Sequence, residues 1–541
     1  MKRLFLLLFL PFIFVQCQTK KNPHVEIKTK TKLVVGIVVD QMRYDYLTRF
    51  WDHYSDGGFK RMVNQGFNFK NNHYNYTPTY TGPGHASVYT GTSPGTHGII
   101  GNSWYSKEAG KMVYCAEDAS VLSLGTKTKA GQMSPHRMKT TTIADINRIH
   151  TQMQGKTIGI SLKDRGAILP AGHTANAAYW FQGKEEGKWI SSSYYMDALP
   201  EWVNAFNESD QAEGYFKTWD TYYDISKYTQ SGADENSYEW GFSGKETPTF
   251  PYDLDALKAE NGQFEIIKNS PYGNNLITDF AIAALEAEQL GDDDHTDFLT
   301  VSYSSTDMVG HNFGVNSKEV QDSYIRLDLD LQRLLEHIDA KVGKGNYTVF
   351  LTSDHGAVHV PNYLKDLKIP AGYFDSQKFE TDLNALLMGK YHSKNLIANF
   401  SNFQIFFNHD EVDRLKINTD LMQEAVAKFA LDYPQMDKVF TRKQMEDGNY
   451  TKDLANLVQN GFSQKRSGDV MLLLDTSVIS YGPTGSTHGS ANTYDTHVPL
   501  LFFGAGINQG SSSRYTKIID IAPTISSLLG IVFTNGSTGD V

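Results

Sequence analysis

The chain has 541 residues, of which 40% are hydrophobic and 21% are charged. This composition, with no low-complexity tract, excludes a disordered or fibrous protein and predicts a large buried core. The formal net charge is −11, and no stripe of Lys and Arg is visible. The charge pattern therefore argues against a nucleic-acid-binding surface.

Residues 1–17 have the composition of an export signal. Two basic residues precede an apolar stretch, 4–15, that is too short to span a bilayer. Cys17 stands where a bacterial lipoprotein is cleaved and lipidated, although Gln16 is larger than the small residue expected before it. We expect either a lipid anchor at Cys17 or secretion without one, in the periplasm or at the outer membrane of a Gram-negative bacterium. Residues 18–31 would form a polar tether.

Short apolar runs alternate with helical patterns along residues 32–541. The runs are rich in β-branched and aromatic residues and predict strands buried on both faces, at 33–39, 157–162, 298–303, 348–352, 470–474 and 498–503. This alternation predicts an α/β fold, a doubly wound and mostly parallel sheet with helices on both faces. Two regions, about 185–275 and about 365–465, break the pattern, and we interpret them as insertions or a cap. Besides Cys17 there is only Cys115, so no intrachain disulfide is expected.

Two of the helices have recognisable end signals. The segment Asn316-Ser-Lys-Glu319 resembles a capping box, with Asn in place of Ser or Thr, and predicts a helix to about Ala340. The segment 520–529 predicts a final helix with Pro523 in its first turn.

Acidic and histidine residues follow the predicted strands or lie in a nearby glycine-rich loop. They are Asp40, Asp307, His311, Asp354, His355 and His488. In open α/β sheets, ligands bind at the carboxyl ends of the strands. Three Asp and three His are enough to hold two zinc ions, so a metallohydrolase is the first hypothesis.

The individual spacings support a metal site to different degrees. Asp307 and His311 are four residues apart, so on a helical turn they could share a metal ion, although such pairs are also common surface contacts. Asp354 and His355 are followed by glycine, which allows a turn that presents both to one site. Asp40 ends an apolar strand, where an uncompensated carboxylate is costly to bury, and either a metal or a helix cap would explain it.

The segment 77–87 is a candidate nucleophile turn with several threonines and small residues. Pro83 suits the first turn of a following helix, whose N-terminus would offer N–H groups to an anion. Thr81 is placed to be the attacking hydroxyl, because Zn²⁺ can lower the pKa of bound water from about 15.7 to near 7. Composition alone does not separate Thr81 from Thr79.

Three polar residues could contact a phosphate. Lys163 and Arg165 follow the strand at 157–162, and alternate residues of an extended segment point the same way, so both could reach one anion. Asn102 follows a glycine-rich stretch and could donate to a phosphate oxygen, or be only a turn residue. Four more histidines near glycines or the sheet edge are expected to be structural or to support the ligands: His85, His97, His173 and His497.

Taken together, these motifs resemble the alkaline phosphatase superfamily, most closely its PafA-type bacterial phosphate monoesterases. The resemblance covers nearly the whole mature chain. It rests on the motifs at 32–43, 81–85, 93–98, 161–165, 305–311, 353–356, 487–490 and 495–500.

The resemblance implies an alkaline phosphatase-like catalytic domain at 32–541 with two Zn²⁺. One ion would be held by Asp307, His311 and His488, and the other by Asp40, Asp354 and His355. Thr81 would be the nucleophile and a metal ligand. The groups in contact with the transferred phosphoryl group would be Asn102, Lys163 and Arg165.

The implied reaction is hydrolysis of phosphate monoesters to an alcohol and inorganic phosphate through a phosphothreonine. The alternative is a phosphodiesterase of the nucleotide pyrophosphatase type, which shares the two-metal site and the threonine. A diester carries one fewer charge and a second organic group, so paired cations at Lys163 and Arg165 favour monoesters.

Other functions fit the sequence less well. A sulfatase derives its formylglycine from Cys or Ser, and a cofactor-independent phosphoglycerate mutase is disfavoured by the export signal. A glycan-binding surface lipoprotein would suit the Tyr- and Trp-rich insertions but would not need the six Asp and His. The sequence leaves the preferred organic group and the oligomeric state open.

Overall fold

A ten-stranded sheet lies at the centre of the computed structural model, which describes residues 31–184 and 186–541. A second sheet has four strands. In chain order the strands of the two sheets are β1 (Leu33–Val39), β2 (Phe67–Phe69), β3 (Ser123–Leu124), β4 (Thr157–Ser161), β5 (Ala177–Gln182), β6 (Lys188–Ser192), β7 (Asp297–Tyr303), β8 (Tyr347–Thr352), β9 (Ile397–Ser401), β10 (Gln404–Phe407), β11 (Met436–Thr441), β12 (Val470–Leu474), β13 (Leu500–Gly504) and β14 (Gly510–Ser512). The main sheet has the order β14-β2-β13-β8-β1-β7-β4-β5-β6-β3, and the second has the order β9-β10-β12-β11.

The five central strands of the main sheet, β8, β1, β7, β4 and β5, are parallel. Strands β1, β7 and β8 are buried along their whole length, as expected for strands covered on both faces. Strands β13 and β6 pair antiparallel with the neighbours that lie nearer the centre. Because β1, β7 and β8 run in one direction, their carboxyl ends meet at one edge of the sheet, which we call the rim.

Helices cover both faces of this sheet. In the described chain, the helices of eight or more residues, including those of the second sheet, are α1 (Thr81–Thr90), α2 (Ile143–His150), α3 (Asp164–Ala171), α4 (Tyr272–Ala287), α5 (Ser305–Phe313), α6 (Lys318–Lys341), α7 (Ser376–Tyr391), α8 (Thr419–Leu431), α9 (Asp453–Gly461) and α10 (Ile521–Leu529). Val35 and Ile37 of β1 pack into a core that contains residues of α4 and α6. Val34 and Val38 pack on the other face with residues of α1 and α10. The alternation of β1 side chains between two cores confirms the doubly wound α/β fold.

Two predicted elements differ from the structure. The run at 470–474 is a strand, but as β12 it lies in the second sheet, because a short apolar run does not specify which strands it pairs with. Helix α6 is capped by Ser317, whose side chain accepts from Val320 N at 3.1 Å, rather than by Asn316. The Asn316 amide instead lies 2.9 Å from His359 Nδ1.

The two proposed insertions have different structures. In the first, residues 186–275 form mostly turns and short helices, although β6 joins the main sheet. The second sheet, with α7 and α8, has its own apolar core and extends to Leu474. Within 31–184 and 186–541, no helix has the length and apolar character needed to cross a membrane. The export signal and Cys17 lie outside the described residues.

Candidate functional site

Helix α5 and a loop after β12 bring three of the six candidate ligands together at the rim. Asp307 Oδ1 lies 3.1 Å from His311 Nε2, as expected for residues four apart on a helix, and 3.8 Å from His488 Nε2. The ligand atoms of these three residues all lie within 4.8 Å of one another. This first cluster has the spacing of a three-ligand metal site.

The other three ligands meet at the ends of β1 and β8. His355 Nε2 lies 3.5 Å from Asp40 Oδ1 and 3.4 Å from Asp354 Oδ2, and all three residues are fully buried. Asp307 also lies within 4.8 Å of Asp40 and His355 through its ligand atoms. The two clusters therefore adjoin at Asp307.

The second cluster has the chemistry of a cation site. Asp40 Oδ1, Asp354 Oδ2 and His355 Nε2 are buried and make no hydrogen bond to any residue of the described ranges. Burial and the neighbouring Asp40 raise the pKa of Asp354 well above its usual range. Buried polar atoms normally have partners, and carboxylates and imidazoles are ligands of divalent metals, so these residues fit such an ion.

Backbone carbonyls orient the three imidazoles. His311 Nδ1 lies 2.7 Å from Ser486 O, His355 Nδ1 lies 3.0 Å from Gly356 O, and His488 Nδ1 lies 2.8 Å from Thr79 O. Each Nδ1–H therefore donates to a carbonyl, which leaves the Nε2 lone pair free to face the cluster. Burial lowers the pKa of His355 to about 3, so its ring is held in the neutral form that binds a metal.

Lys163 lies between the two clusters. Its Nζ is 2.6 Å from Asp40 Oδ2 and 2.6 Å from Asp307 Oδ2. Burial lowers the pKa of Lys163, but the Asp307 and Asp40 carboxylates raise it more, so the amine is charged. The ammonium thus supplies positive charge where three carboxylates converge.

Arg165 and Asn102 are held beside the clusters by neighbouring groups. Arg165 lies in the first turn of α3, so the expectation of an extended segment there was wrong, and its Nη1 is 3.1 Å from Tyr114 Oη. Tyr114 Oη in turn donates to Asp164. Asn102 Oδ1 accepts from Gly82 N at 2.7 Å, and Nδ2 has no hydrogen-bond partner in the described chain.

The structure separates the two candidate threonines. Thr79 Oγ1 donates to Ser490 O at 2.9 Å, whereas Thr81 Oγ1 makes no hydrogen bond within the ranges described. Thr81 is the first residue of α1 and is buried. Gly84 lets this helix approach the rim, because a Cβ there would lie 2.5 Å from Asp354 O. The free hydroxyl at the helix N-terminus is therefore that of Thr81.

The family model of type I phosphodiesterases and nucleotide pyrophosphatases matches residues 34–498. The chain belongs to this family, within the alkaline phosphatase superfamily. A "Calcium-transporting ATPase" of Myroides odoratus is 45% identical over 94% of this chain and 94% of its own length. "Alkaline phosphatase PafA" of Elizabethkingia meningoseptica is 43% identical over 94% of this chain and 93% of its own.

Solved structures agree with this membership. The crystal structure of wild-type alkaline phosphatase PafA superposes with a TM-score of 0.91, at 43% identity, over 94% of this chain and 98% of that one. A PafA variant with a threonine, an asparagine, a lysine and an arginine substituted together gives a TM-score of 0.90 at 42% identity. It covers 94% of this chain and 98% of the variant.

Gln41, which sequence reasoning missed, contacts both clusters of this alkaline phosphatase superfamily member. Gln41 N donates to Asp354 Oδ1 at 3.1 Å, and Gln41 Nε2 donates to Asp307 Oδ1 at 2.6 Å. His85, expected to be structural or supporting, lies 2.9 Å from Thr81 O and 3.4 Å from Asp354 Oδ2 through its Nδ1. Adjacency to Asp40 was the only sequence signal for Gln41.

Proposed function

We propose that this protein hydrolyses phosphate monoesters to an alcohol and inorganic phosphate, with two Zn²⁺ and Thr81 as nucleophile. The observation that carries the proposal is a group of three buried ligand atoms, Asp40 Oδ1, Asp354 Oδ2 and His355 Nε2, that have no hydrogen-bond partner among the described residues. His355 Nε2 lies 3.5 Å from Asp40 Oδ1 and 3.4 Å from Asp354 Oδ2. Relatives named alkaline phosphatase PafA and, in Synechococcus elongatus, alkaline phosphatase PhoV, are 43% and 42% identical over 94% and 97% of the chain, which supports the same activity here.

In this proposal the two clusters divide the metals between them. Asp40, Asp354 and His355 would hold one zinc ion, and Asp307, His311 and His488 would hold the other. When bound, such ions lower the pKa of an oxygen acid and offset negative charge on a leaving oxygen. The chain contributes the imidazoles, the carboxylates and their fixed orientation.

Thr81 Oγ1 would attack phosphorus, the alcohol would leave, and a phosphothreonine would form. Water would then attack the same phosphorus, release inorganic phosphate and restore the threonine. Because Thr81 is the first residue of α1, the backbone N–H groups and the positive end of the helix dipole would lie near the phosphoryl group and favour its negative charge. Two observations support this assignment: the Thr79 hydroxyl already donates to Ser490 O, and the Thr81 hydroxyl makes no hydrogen bond within the described residues.

Asn102, Lys163 and Arg165 would bind the non-bridging oxygens. The same residue types, with a threonine, are those substituted together in the PafA variant structure. Lys163 Nζ contacts two carboxylates at 2.6 Å, so its phosphate contact requires that other cations offset their charge. A dianionic monoester gains more from these cations than a monoanionic diester does.

The test compares p-nitrophenyl phosphate with methyl p-nitrophenyl phosphate, which share a leaving group and differ by one charge. With zinc-loaded protein we expect the monoester to give the higher kcat/KM. Arg165→Ala should lower kcat/KM for the monoester about a hundredfold and for the diester less, with Arg165→Lys between them. Faster diester turnover by the unaltered protein would favour the phosphodiesterase alternative.

We also propose that the protein is exported and carries a lipid at Cys17. The proposal rests on the apolar stretch at 4–15 and on the position of the cysteine after it. Labelled palmitate should be incorporated in bacterial cells and should be lost in Cys17→Ser. Secretion of unlabelled protein would show export without an anchor.

A further inference from the structure

The motif at 495–500 begins with a buried aspartate that has no role in the proposed reaction. Asp495 lies in a short helix, Thr493–Thr496, and is 1% exposed. Burial of a carboxyl group is costly unless hydrogen-bond donors compensate for the lost water. The hydrogen-bond partners of Asp495 therefore indicate its role.

The side chain of Asp495 contacts the loop that carries His488. Asp495 Oδ2 accepts from Gly489 N at 3.1 Å and from Ser490 N at 2.7 Å. These two N–H groups directly follow His488, a candidate ligand of the first cluster. Contacts of this kind orient a metal ligand without touching the metal.

The backbone of Asp495 contacts the loop that carries His355. Gly356 N, directly after His355, donates to Asp495 O at 2.7 Å. This approach requires glycine, because a Cβ at Gly356 would lie 2.1 Å from Tyr494 O. Asp495 thus contacts one loop from each cluster, the first through its side chain and the second through its backbone.

The loop held by the Asp495 side chain also contacts the turn that carries the candidate nucleophile. Ser490 O accepts from Thr79 Oγ1 at 2.9 Å, and His488 Nδ1 lies 2.8 Å from Thr79 O. Thr79 is two residues before Thr81. Movement of this loop would therefore change the position of His488 relative to Thr81.

The rings of the two histidines are stacked on each other. The centroids of His355 and His488 are 3.3 Å apart, and their planes differ by 10°. His355 belongs to the second cluster and His488 to the first. Because both loops contact Asp495, this one residue links the positions of the two rings.

We propose that Asp495 is a positioning residue, whose carboxyl group keeps His488 oriented with Nε2 towards the first cluster. The inference rests on the proposed two-zinc site and assigns a further residue to it. The side chain contacts the loop of His488, whereas the contact with the loop of His355 uses the backbone. Loss of the side chain should therefore weaken one zinc site and leave the other unchanged.

The test is the zinc affinity of each site, measured by competition with a chromophoric chelator in the absence of substrate. In Asp495→Ala we expect one of the two zinc ions to bind about 10–100-fold more weakly, as is typical when a group that orients a metal ligand is removed. The other ion should keep its wild-type affinity.

A second ligand variant locates the weakened site. His488→Ala removes the ligand through which Asp495 is proposed to act, so adding Asp495→Ala to it should weaken zinc binding no further. Additive losses in the double variant would contradict an action through His488.

Asp495→Asn is the conservative variant. The oxygen of its amide can still accept from Gly489 N and Ser490 N, and its NH₂ group can replace Oδ1, which has no hydrogen-bond partner among the described residues. Asp495→Asn should therefore restore most of the zinc affinity that Asp495→Ala loses.

Asp145 provides a matched control, because it is fully buried and its carboxylate also accepts from two backbone groups. These are Thr142 N at 2.8 Å and Thr174 N at 2.7 Å, and neither lies in a loop that carries a candidate ligand. Asp145→Ala should lower the free energy of unfolding in EDTA and keep both zinc affinities. Equal loss of zinc affinity in Asp145→Ala and Asp495→Ala would overturn the inference, since a general loss of stability would explain both.

Asp495→Leu serves if Asp495→Ala does not fold. Leu is close in volume to Asp and suits the surroundings, since Leu472 and Val478 line the same cavity as Asp495. Folded Asp495→Ala or Asp495→Leu with wild-type affinity at both sites would overturn the inference. If the wild-type protein bound zinc but hydrolysed no phosphate ester, the proposed function would be wrong, and loss of one zinc ion in these variants would still support the role of Asp495.

Discussion

Asp469 in the second sheet and Asp354 at the rim are both fully buried, but their surroundings differ. Asp469 Oδ2 accepts from Phe407 N at 2.8 Å, and its Oδ1 lies 3.1 Å from His409 Nε2 and 3.3 Å from Arg442 Nε. Although burial raises the pKa of Asp469, His409 and Phe407 N lower it below its usual value. For Asp354, Oδ1 accepts from Gln41 N, while Oδ2 has no hydrogen-bond partner among the described residues.

This difference indicates that Asp469 stabilises the fold, whereas Asp354 belongs to the candidate metal site. A buried carboxylate with its partners in place holds the second sheet together, since Asp469 links β10, β12 and the segment after β11. A buried carboxylate without a partner destabilises the fold unless a cation is bound. The buried carboxylate of Asp469 thus has its partners within the protein, whereas Asp354 has the surroundings expected of a ligand to a cation.

The threonines extend the comparison to hydroxyl groups and give the largest expected effect. Thr81→Ala should lower kcat for a monoester by about 10³-fold or more, because it removes the hydroxyl that is proposed to attack phosphorus. Thr79→Ala, which removes a hydroxyl that donates to Ser490 O, is the matched control. Its effect should be below about tenfold in the same initial-rate assay.

Mass spectrometry provides a second measurement on the same pair. Protein quenched in acid during turnover should carry one phosphate on Thr81, and the Thr81→Ala variant should carry none. Phosphate on another residue of Thr81→Ala would contradict the nucleophile assignment.

Two aspartate substitutions test the comparison directly. Asp354→Asn should reduce monoester kcat/KM at least about a hundredfold, since even residues that only orient metal ligands account for 10–100-fold effects. In EDTA its free energy of unfolding should equal or exceed that of the wild type, because Asn avoids the cost of burying a carboxyl group whose pKa is raised and whose Oδ2 has no hydrogen-bond partner among the described residues.

Asp469→Asn should show the opposite pattern. It breaks a buried interaction with Arg442 and His409, so the free energy of unfolding should fall by about 3 kcal/mol. Folded variant should retain most of its kcat. Urea unfolding and rate assays on Asp354→Asn and Asp469→Asn measure both effects. If the two variants lost the same free energy of unfolding in EDTA, the proposed difference between the two aspartates would be wrong.

The buried histidines predict a smaller, pH-dependent effect. Both ring nitrogens of His97 have partners, Ser87 Oγ at 2.9 Å and Ile99 N at 3.1 Å, and burial lowers the pKa of His97 to about 3. The neutral ring is thus favoured in the folded state. The contribution of the neutral His97 ring to the free energy of unfolding is complete above about pH 6.5. It is lost as the pH falls towards 3, by up to about 1.4 kcal/mol per pH unit.

His97→Gln should reduce the slope of unfolding free energy against pH between about 6.5 and 4, measured in EDTA. His150→Gln, at an exposed position at the end of α2, is the control and should keep the wild-type slope. An unchanged slope in His97→Gln would show that this ring does not titrate on unfolding.

The central sheet and the candidate ligands could be predicted from the sequence because both follow from one pattern. Strands buried on both faces are apolar throughout, and β1 was predicted with its observed bounds, Leu33–Val39. A charged residue at or just beyond the end of such a run is conspicuous, as Asp40, directly after Val39, and Asp354, two residues after Thr352, are. The structure brings the six candidate ligands together, while their roles remain those proposed above.

Contacts between distant segments could not be predicted in this way. Gln41 has φ +64° and reaches Asp307, 266 positions away, so its role depends on a backbone turn and on sheet pairing. The sheet that contains Val470–Leu474 depends on pairing with β10 and β11. The choice of Thr81 over Thr79 depends on a carbonyl more than 400 residues further along, at Ser490.

The most direct test of a rim completed by cations is the metal content of the dialysed protein, measured by inductively coupled plasma mass spectrometry. The wild-type protein should retain about two zinc ions per chain, and Asp354→Asn should retain fewer, while Asp469→Asn should retain two. Wild-type protein that holds no divalent metal after incubation with zinc would contradict the two-metal site.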